Sequence, residues 1–212
     1  MSRVEHIAEG VTLYQGDCRE ILPGLGKVDA VVTDPPYPDY HRELYKYDAD
    51  TVRFVLDWIG TKRALVFWST KIDLECSPSA IHIWDKKTGC GSEYERIYEL
   101  NGQRNFKVAR HYLINSTVAA SYSGDDFTGH PSQKPASLLK EIIGWLPGKT
   151  IADPFMGSGT TGVVAVNSGR HFVGVEIDAG YFDVACKRVS KAVRQQDLFI
   201  EKPKPAKQEA LL

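Results

Sequence analysis

Short apolar runs that end in a carboxylate recur along this chain, and the recurrence limits its fold more than any other feature. Val28-Asp29-Ala30-Val31-Val32 leads into Thr33-Asp34-Pro35-Pro36-Tyr37, and Val11-Thr12-Leu13-Tyr14 leads into Gln15-Gly16-Asp17. Thr150-Ile151-Ala152 ends on Asp153, and His171-Phe172-Val173-Gly174-Val175 on Glu176. Such runs, short, β-branched and bounded by turn signals, read as buried parallel strands. Ala64 to Trp68 and Ile81 to Trp84 are two more, with His82 and Trp84 as packing residues, and Arg96 to Leu100 is a further candidate. Between the runs lie helical patterns: 51–60, with Phe54, Val55 and Trp58 on one face, 136–146, ended by Pro147-Gly148, then 160–168 and 178–194. Strands alternating with helices predict an α/β fold with a mostly parallel sheet. Ligands bind outside the carboxyl ends of such strands. Asp17, Asp34, Asp153 and Glu176 are therefore the first candidates for a site.

Each residue from Asp34 to Tyr37 has a chemical use. Asp34 can accept hydrogen bonds from an amino group. Pro35 has no N–H and offers only its carbonyl, and Pro36 stiffens the turn. Tyr37 supplies a flat face on which a base can stack. The set suits a planar heterocycle with an exocyclic NH2; a proline-rich turn with a half-buried tyrosine explains it equally well. Asp17 also has two readings, as the N-cap of a helix beginning near Arg19 or as a ligand contact. Gly157-x-Gly159-x-x-Gly162, with Glu176 downstream, matches a nucleoside-cofactor loop on a strand–helix–strand unit. There the glycines let the backbone approach a ligand, and Glu176 can accept from two ribose hydroxyls. A phosphate-binding P-loop is excluded, because no Lys-Ser/Thr follows the glycines. A ring of carboxylates is a poor host for a pyrophosphate. It is a good one for a ligand carrying an ammonium and a sulfonium, as S-adenosylmethionine (SAM) does. Lys134 is placed to pair with that ligand's own carboxylate.

The 212 residues suffice for one sizeable domain, taken as 1–200, followed by a polar, proline-rich tail, 201–212, expected to be disordered. No apolar run reaches the length of a membrane span, and the first residues lack the apolar segment of a secretory signal. Four scattered cysteines without a C-x-x-C pair point to reduced thiols in a cytoplasmic setting and argue against a zinc site. The formal net charge of −1 counts mildly against a nucleic-acid partner, so any such surface must be local. The best local patch is 85–115, where Lys86, Lys87, Arg96, Arg104, Lys107 and Arg110 are interleaved with Tyr94, Tyr98, Phe106 and Tyr112. Basic residues among aromatics suit phosphate contacts and base stacking; a solvated face is the plainer reading. Residues 38–50, with Tyr40, His41, Tyr45 and Tyr47, read as an active-site loop or a solvated connection.

With these residues in hand, the sequence resembles the amino-group DNA methyltransferases, SAM enzymes that methylate adenine N6 or cytosine N4. Their D-P-P-Y stands at Asp34 to Tyr37, their D-P-F-x-G-S-G-T at Asp153 to Thr160, and their H-P-x-x-K-P at His130 to Pro135. The order, D-P-P-Y first, resembles the permuted β group, whose target-recognition segment precedes H-P-x-x-K-P. Here that segment is about 85–129, short for the family. The resemblance implies a Rossmann-like class I methyltransferase, a seven-stranded, mostly parallel sheet with helices on both faces. It implies a cofactor site of Asp17, Cys18, Ser132, Lys134, Asp153, Phe155, Gly157, Gly159, Thr160, Thr161 and Glu176. In that site Asp17 would meet the adenine ring, Ser132 and Lys134 the methionine end, and Glu176 the ribose. It implies catalysis by Asp34, Pro35, Pro36 and Tyr37 on a flipped-out base, with DNA held by the basic residues named above. Asp in the first position is similar to adenine-N6 enzymes; cytosine-N4 enzymes more often carry Ser. Members of the group often pair, so a homodimer is a further expectation.

One tail feature stands apart. Gln195-Gln196-Asp197-Leu198-Phe199 resembles the short peptides that dock on bacterial sliding clamps, through Gln195, Asp197, Leu198 and Phe199 just past the last helix. Packing of Leu198 and Phe199 back onto the domain is the plainer reading. Two other classes compete. A nicotinamide-dependent oxidoreductase would explain the glycine loop but not Asp34 to Tyr37 or His130 to Pro135. A methyltransferase of RNA or of protein glutamine normally carries its x-P-P-Y after the glycine loop.

Overall fold

The computed structural model describes residues 3–38, 47–86, 93–103, 105–111, 128 and 133–199, with side chains as far as 196. The strands are β1 (Arg3–Ala8), β2 (Val11–Gln15), β3 (Ala30–Thr33), β4 (Arg63–Trp68), β5 (Ala80–Asp85), β6 (Tyr94–Leu100), β7 (Val108–Arg110), β8 (Thr150–Asp153) and β9 (His171–Glu176). The helices are α1 (Cys18–Ile21), α2 (Ala49–Ile59), α3 (Ala136–Ile143), α4 (Thr160–Asn167) and α5 (Ala179–Phe199). The strands form one sheet in the order β1-β2-β9-β8-β3-β4-β6-β5-β7. β2, β9, β8, β3 and β4 run parallel; β1 is antiparallel to β2, and β6 is antiparallel to both β4 and β5. The fold is the expected α/β class, with nine strands among the described residues where seven were expected.

The two extra strands have a physical reason for escaping a reading of hydrophobic pattern. β1 is an edge strand whose side chains are largely in solvent, so burial leaves no periodic mark on it. β7 is three residues long and held by pairing with β5. β6 and β7 also change the reading of the 85–129 segment. Its described parts are largely sheet, with Ile97 and Tyr98 in the core. Residues 87–92 and 112–127 lie outside the described residues.

Alternation along the central strands sends side chains to two apolar layers. Val32, Leu65 and Phe67 face one side with α3, α4 and α5. Val31, Ala64, Val66 and Trp68 face the other with α1 and α2. α3 buries Leu138, Leu139, Ile142 and Ile143, each contributing about 1.5–3 kcal/mol. From β8 the chain crosses through α4 to β9 on one side; from β3 it crosses through α2 to β4 on the other. The order therefore reverses between β8 and β3. At such a reversal the loops part, and a crevice opens at the carboxyl ends of the strands.

Candidate active site

The crevice is a cleft of about 660 Å³ at this reversal point. The carboxyl ends of β2, β9, β8 and β3 all open onto it, so Asp17, Glu176, Asp153 and Asp34 line one cavity. Among its lining residues are six carboxylates, with Asp48 and Asp178 as the other two, against the cations Arg19 and Lys134. This donor set suits a cationic ligand and repels a pyrophosphate. Cys18, Phe155, Gly157, Thr160 and Thr161 line the same cleft. Ser132 lies outside the described residues, as do His130 and Pro131.

β3 is buried along its whole length between β8 and β4. Its chain then runs into Pro35 and Pro36, which have no N–H to continue a ladder, and Asp34 is delivered at the strand tip. Asp34 Oδ2 accepts from the Lys134 ammonium. Asp34 Oδ1 is buried with no hydrogen-bond partner among the described residues. Tyr37 is buried, and its ring centre stands 5.6 Å from that of Trp68, tilted by 58°. It packs on the core and lines the cleft, so the two sequence readings of this tyrosine are compatible.

Lys134, expected to meet a cofactor carboxylate, is held between two carboxylates of the chain itself. Its Nζ pairs with Asp34 and stands 3.5 Å from Glu95 Oε2 on β6. Burial pulls Lys134 down, but Asp34 and Glu95 more than offset it, so its pKa lies above the ordinary lysine value. Glu95 is in turn bound by Lys86, Nζ to Oε1 at 2.8 Å. Burial of Glu95 opposes ionisation, yet Lys134 and Lys86 hold its carboxyl below the usual range.

Asp153 ties the two central strands together across the reversal. Its Oδ1 accepts from Thr33 Oγ1 at 3.0 Å and from Phe155 N at 3.1 Å. Burial pushes its pKa up to about 7. Glu176 accepts from two backbone N–H groups, Gly157 at 2.9 Å and Asp178 at 2.8 Å. It thereby fixes the glycine loop against β9, and burial raises its pKa. Asp17 is the N-cap of α1, accepting from Arg19 N at 2.8 Å, which bears out the capping reading. The Arg19 guanidinium beside it holds its carboxyl below the usual range and reaches Asp48 at 3.3 Å. Burial pushes the Cys18 thiol up to about 11, so it is no nucleophile at neutral pH.

Two of the three glycines of the pattern have a packing reason. A Cβ on Gly159 would stand 2.8 Å from Ala185 Cβ, and one on Gly162 would stand 2.6 Å from Phe172 Cε1. These glycines are small so that α5 and β9 can close on the loop. Arg188 of α5 completes the clamp. Its Nη1 donates to Ser158 O at 2.7 Å and Thr160 Oγ1 at 3.0 Å. Arg188 and Glu95 went unnoticed in the sequence because their partners lie on other elements, whereas Arg19 and Asp48 have local partners at Asp17 and Thr51 and only the link between the two pairs is long-range. Of the first two, only Glu95 had a local hint, as an acid inside a basic stretch.

The basic residues of 85–115 divide. Lys86 is turned inward onto Glu95. Arg96 donates to Ser69 O at 2.7 Å and to Ile72 O at 2.6 Å and pairs with Asp73, so it closes the 69–73 turn. Both side chains are therefore engaged by acceptors of the chain itself. Lys107 lies 4.4 Å over the Trp145 ring. Arg110 is exposed, 3.5 Å from Asp85. Lys87 and Arg104 lie outside the described residues. At the far end, α5 continues to Phe199, so 195–199 are helical and do not follow the helix. Gln196 donates its amide to Val166 O. The side chains of Asp197, Leu198 and Phe199 lie outside the described residues. No helix among the described residues is long and apolar enough to cross a membrane.

Comparison with known proteins follows the same geometry. Escherichia coli (strain K12) DNA adenine methyltransferase YhdJ is 47% identical over 73 residues, which are 34% of this chain and 25% of that protein. The type II methyltransferase M2.DpnII of Streptococcus pneumoniae is 39% identical over 105 residues, 41% of this chain and 39% of that protein. The chain thus spans between a quarter and two-fifths of the length of these curated relatives. The crystal structure of the M1.HpyAVI–SAM complex superposes with a TM-score of 0.58 at 25% identity, covering 84% of this chain and 98% of that one. The model of the family described as DNA methylase, N6_N4_Mtase, matches residues 82–187, half of the chain. With the cleft, the strand-tip carboxylates and this match together, the chain belongs to the N6/N4 DNA methylase family.

Proposed function

We propose that this chain transfers a methyl group from SAM to the exocyclic N6 of an adenine flipped out of DNA. The observation that carries the reading is Asp34 Oδ1, a buried acceptor without a hydrogen-bond partner among the described residues, on a residue that stands at the tip of β3 and lines a carboxylate-rich cleft. Such an atom is costly to bury unless a ligand donor completes it. One relative, 47% identical over 73 residues, is named a DNA adenine methyltransferase, and a second, 39% identical over 105, a type II methyltransferase; the first name supports DNA as the substrate and adenine over cytosine.

The residues fit SAM: acids predominate around the cleft, and Glu176 and the loop 154–158 form one wall. Asp17, Phe155, Gly157 and Glu176 would hold it there. When bound, SAM supplies an electrophilic methyl group on a sulfonium. The chain's own task is to present the amino nitrogen, a weak nucleophile because its lone pair is delocalised into the ring. Asp34 Oδ1 and the Pro35 carbonyl accept the two amino hydrogens, which favours a pyramidal nitrogen. Tyr37 holds the ring plane. After methylation the nitrogen carries an extra proton, which Asp34 Oδ1 receives and passes to water. Most of the acceleration is positioning and preorganised acceptors.

The test is tritium transfer to DNA followed by nucleoside analysis. N6-methyladenine is expected; N4-methylcytosine as the product would overturn the adenine assignment. Asp34→Asn should lower kcat by about 10²–10³-fold while calorimetry shows SAM affinity nearly unchanged. An equal loss of SAM affinity would move Asp34 into the cofactor site.

A further inference from the structure

Behind Asp34 lies a line of alternating charge that the family match does not explain. Lys86 follows β5, Glu95 stands on β6, Lys134 precedes α3, and Asp34 follows β3. Lys86 Nζ is 2.8 Å from Glu95 Oε1, Glu95 Oε2 is 3.5 Å from Lys134 Nζ, and Lys134 pairs with Asp34 Oδ2. Glu95 and Lys134 are both 8% exposed. Glu95 Oε2 is, like Asp34 Oδ1, a buried acceptor with no hydrogen-bond partner among the described residues. The Lys134 ammonium is thus hydrogen-bonded to Asp34 and has, at ion-pair distance, a second carboxylate oxygen that no hydrogen bond occupies.

We propose that Glu95 is a positioning residue for methyl transfer, giving the Lys134 ammonium a second seat when Asp34 takes a proton from the substrate amino group. An N–H bond of the methylated nitrogen breaks, its proton joins Asp34 Oδ1, and the ammonium shifts its weight from the neutral carboxyl to Glu95 Oε2. Without Glu95 the ammonium would stay on Asp34, hold it ionised and weaken it as a proton acceptor. Lys86 acts one step back: by holding Glu95 it limits how far Glu95 draws Lys134 away. The charged and titratable groups facing the pair are Lys134, Glu95, Lys86, Asp153 and Tyr37. Of these, Glu95 favours the protonated form of Asp34, while Lys86 and Lys134 favour the ionised form.

The inference rests on Asp34 as the amino-group acceptor, and it is tested by opposite shifts. The full chain is labelled with ¹³C at the aspartate carboxyls, and the Asp34 signal, identified by its loss in Asp34→Asn, is titrated. Glu95→Gln should move the Asp34 midpoint down by about one pH unit and Lys86→Met should move it up. The acid limb of kcat/KM should move with it. Glu95→Gln should also lower kcat at least tenfold, with KM for SAM little changed. Midpoints that stay put, or that move the same way in both variants, overturn the proposal. A purely structural role would lower the melting temperature without opposite midpoint shifts. Should Glu95→Gln fail to fold, a Lys86→Met midpoint that does not rise overturns it alone. Failure of the parent reading looks different: Asp34→Asn would keep its turnover whatever the titrations show.

Discussion

Gly159 offers a sharp test of why the glycine loop has its glycines. Its φ is +78°, and an added Cβ would stand 2.8 Å from Ala185 Cβ and 3.0 Å from Ala185 Cα. Ala185 is fully buried on α5, so its backbone cannot yield cheaply. The left-handed backbone costs a residue with a Cβ about 1–2 kcal/mol, and overpacking adds about 1–3 kcal/mol. Gly159→Ala should therefore destabilise by about 2–5 kcal/mol, a fall of roughly 5–20 °C in Tm for a chain of this size. Gly169 is the control. Its φ is +70°, but nothing lies within 4 Å of its Cβ position. Gly169→Ala should thus lose only the backbone share, about 1–2 kcal/mol. The assay is thermal melting of both variants, with SAM affinity measured by calorimetry well below the transitions. The difference in Tm isolates the clash with α5. If both variants melt together while Gly159→Ala loses more than about tenfold in SAM affinity, the missing Cβ makes room for a ligand and the packing argument fails.

Further outcomes follow from the structure. The Asp153 carboxyl keeps its proton up to about pH 7, whereas in the unfolded chain it loses it near the ordinary 3.8. The folded state therefore binds more protons between these values, and its stability should fall by up to about 1.4 kcal/mol per pH unit as pH rises through them. Urea melts of Asp153→Asn should lack that slope, and an unchanged slope would contradict the assignment. Tyr37→Phe, which keeps the ring beside Trp68, should retain most turnover, while Tyr37→Ala should lose turnover and about 3–5 kcal/mol of stability; equal loss of turnover in both would shift the role to the hydroxyl. Arg110→Ala should weaken DNA binding and reduce the salt slope by about one, at constant Tm. Arg96→Ala should lower Tm instead, and a changed salt slope at unchanged Tm would return Arg96 to the DNA face.

Much of the site was legible because its residues are close in the chain. Asp34 to Tyr37 follow a buried run, and strand ends in an α/β sheet face ligands. Asp153, Glu176 and the loop between them sit on one strand–helix–strand unit, so spacing alone grouped them. The basic stretch was less legible, because charge pattern does not say which donors already have acceptors. Lys86 and Arg96 look identical in sequence to solvent-facing cations, and only their neighbours Glu95, Ser69, Ile72 and Asp73 make them internal. The packing role of Gly159 was hidden in a related way, since the obstacle to a Cβ there is a helix that begins twenty residues later.

By itself the sequence determined the alternation of strand and helix, the sheet's class and the four carboxylates at strand ends. Hydrophobic period and chain-breaking residues act over a few positions and leave a local mark. Only the tertiary structure decided the partners of those charges. Lys134 reaches Asp34 across 100 residues, and Glu95 arrives from a strand inserted antiparallel between β4 and β5. Burial makes such pairings binding, because a charge removed from water must find its opposite wherever the fold brings one near.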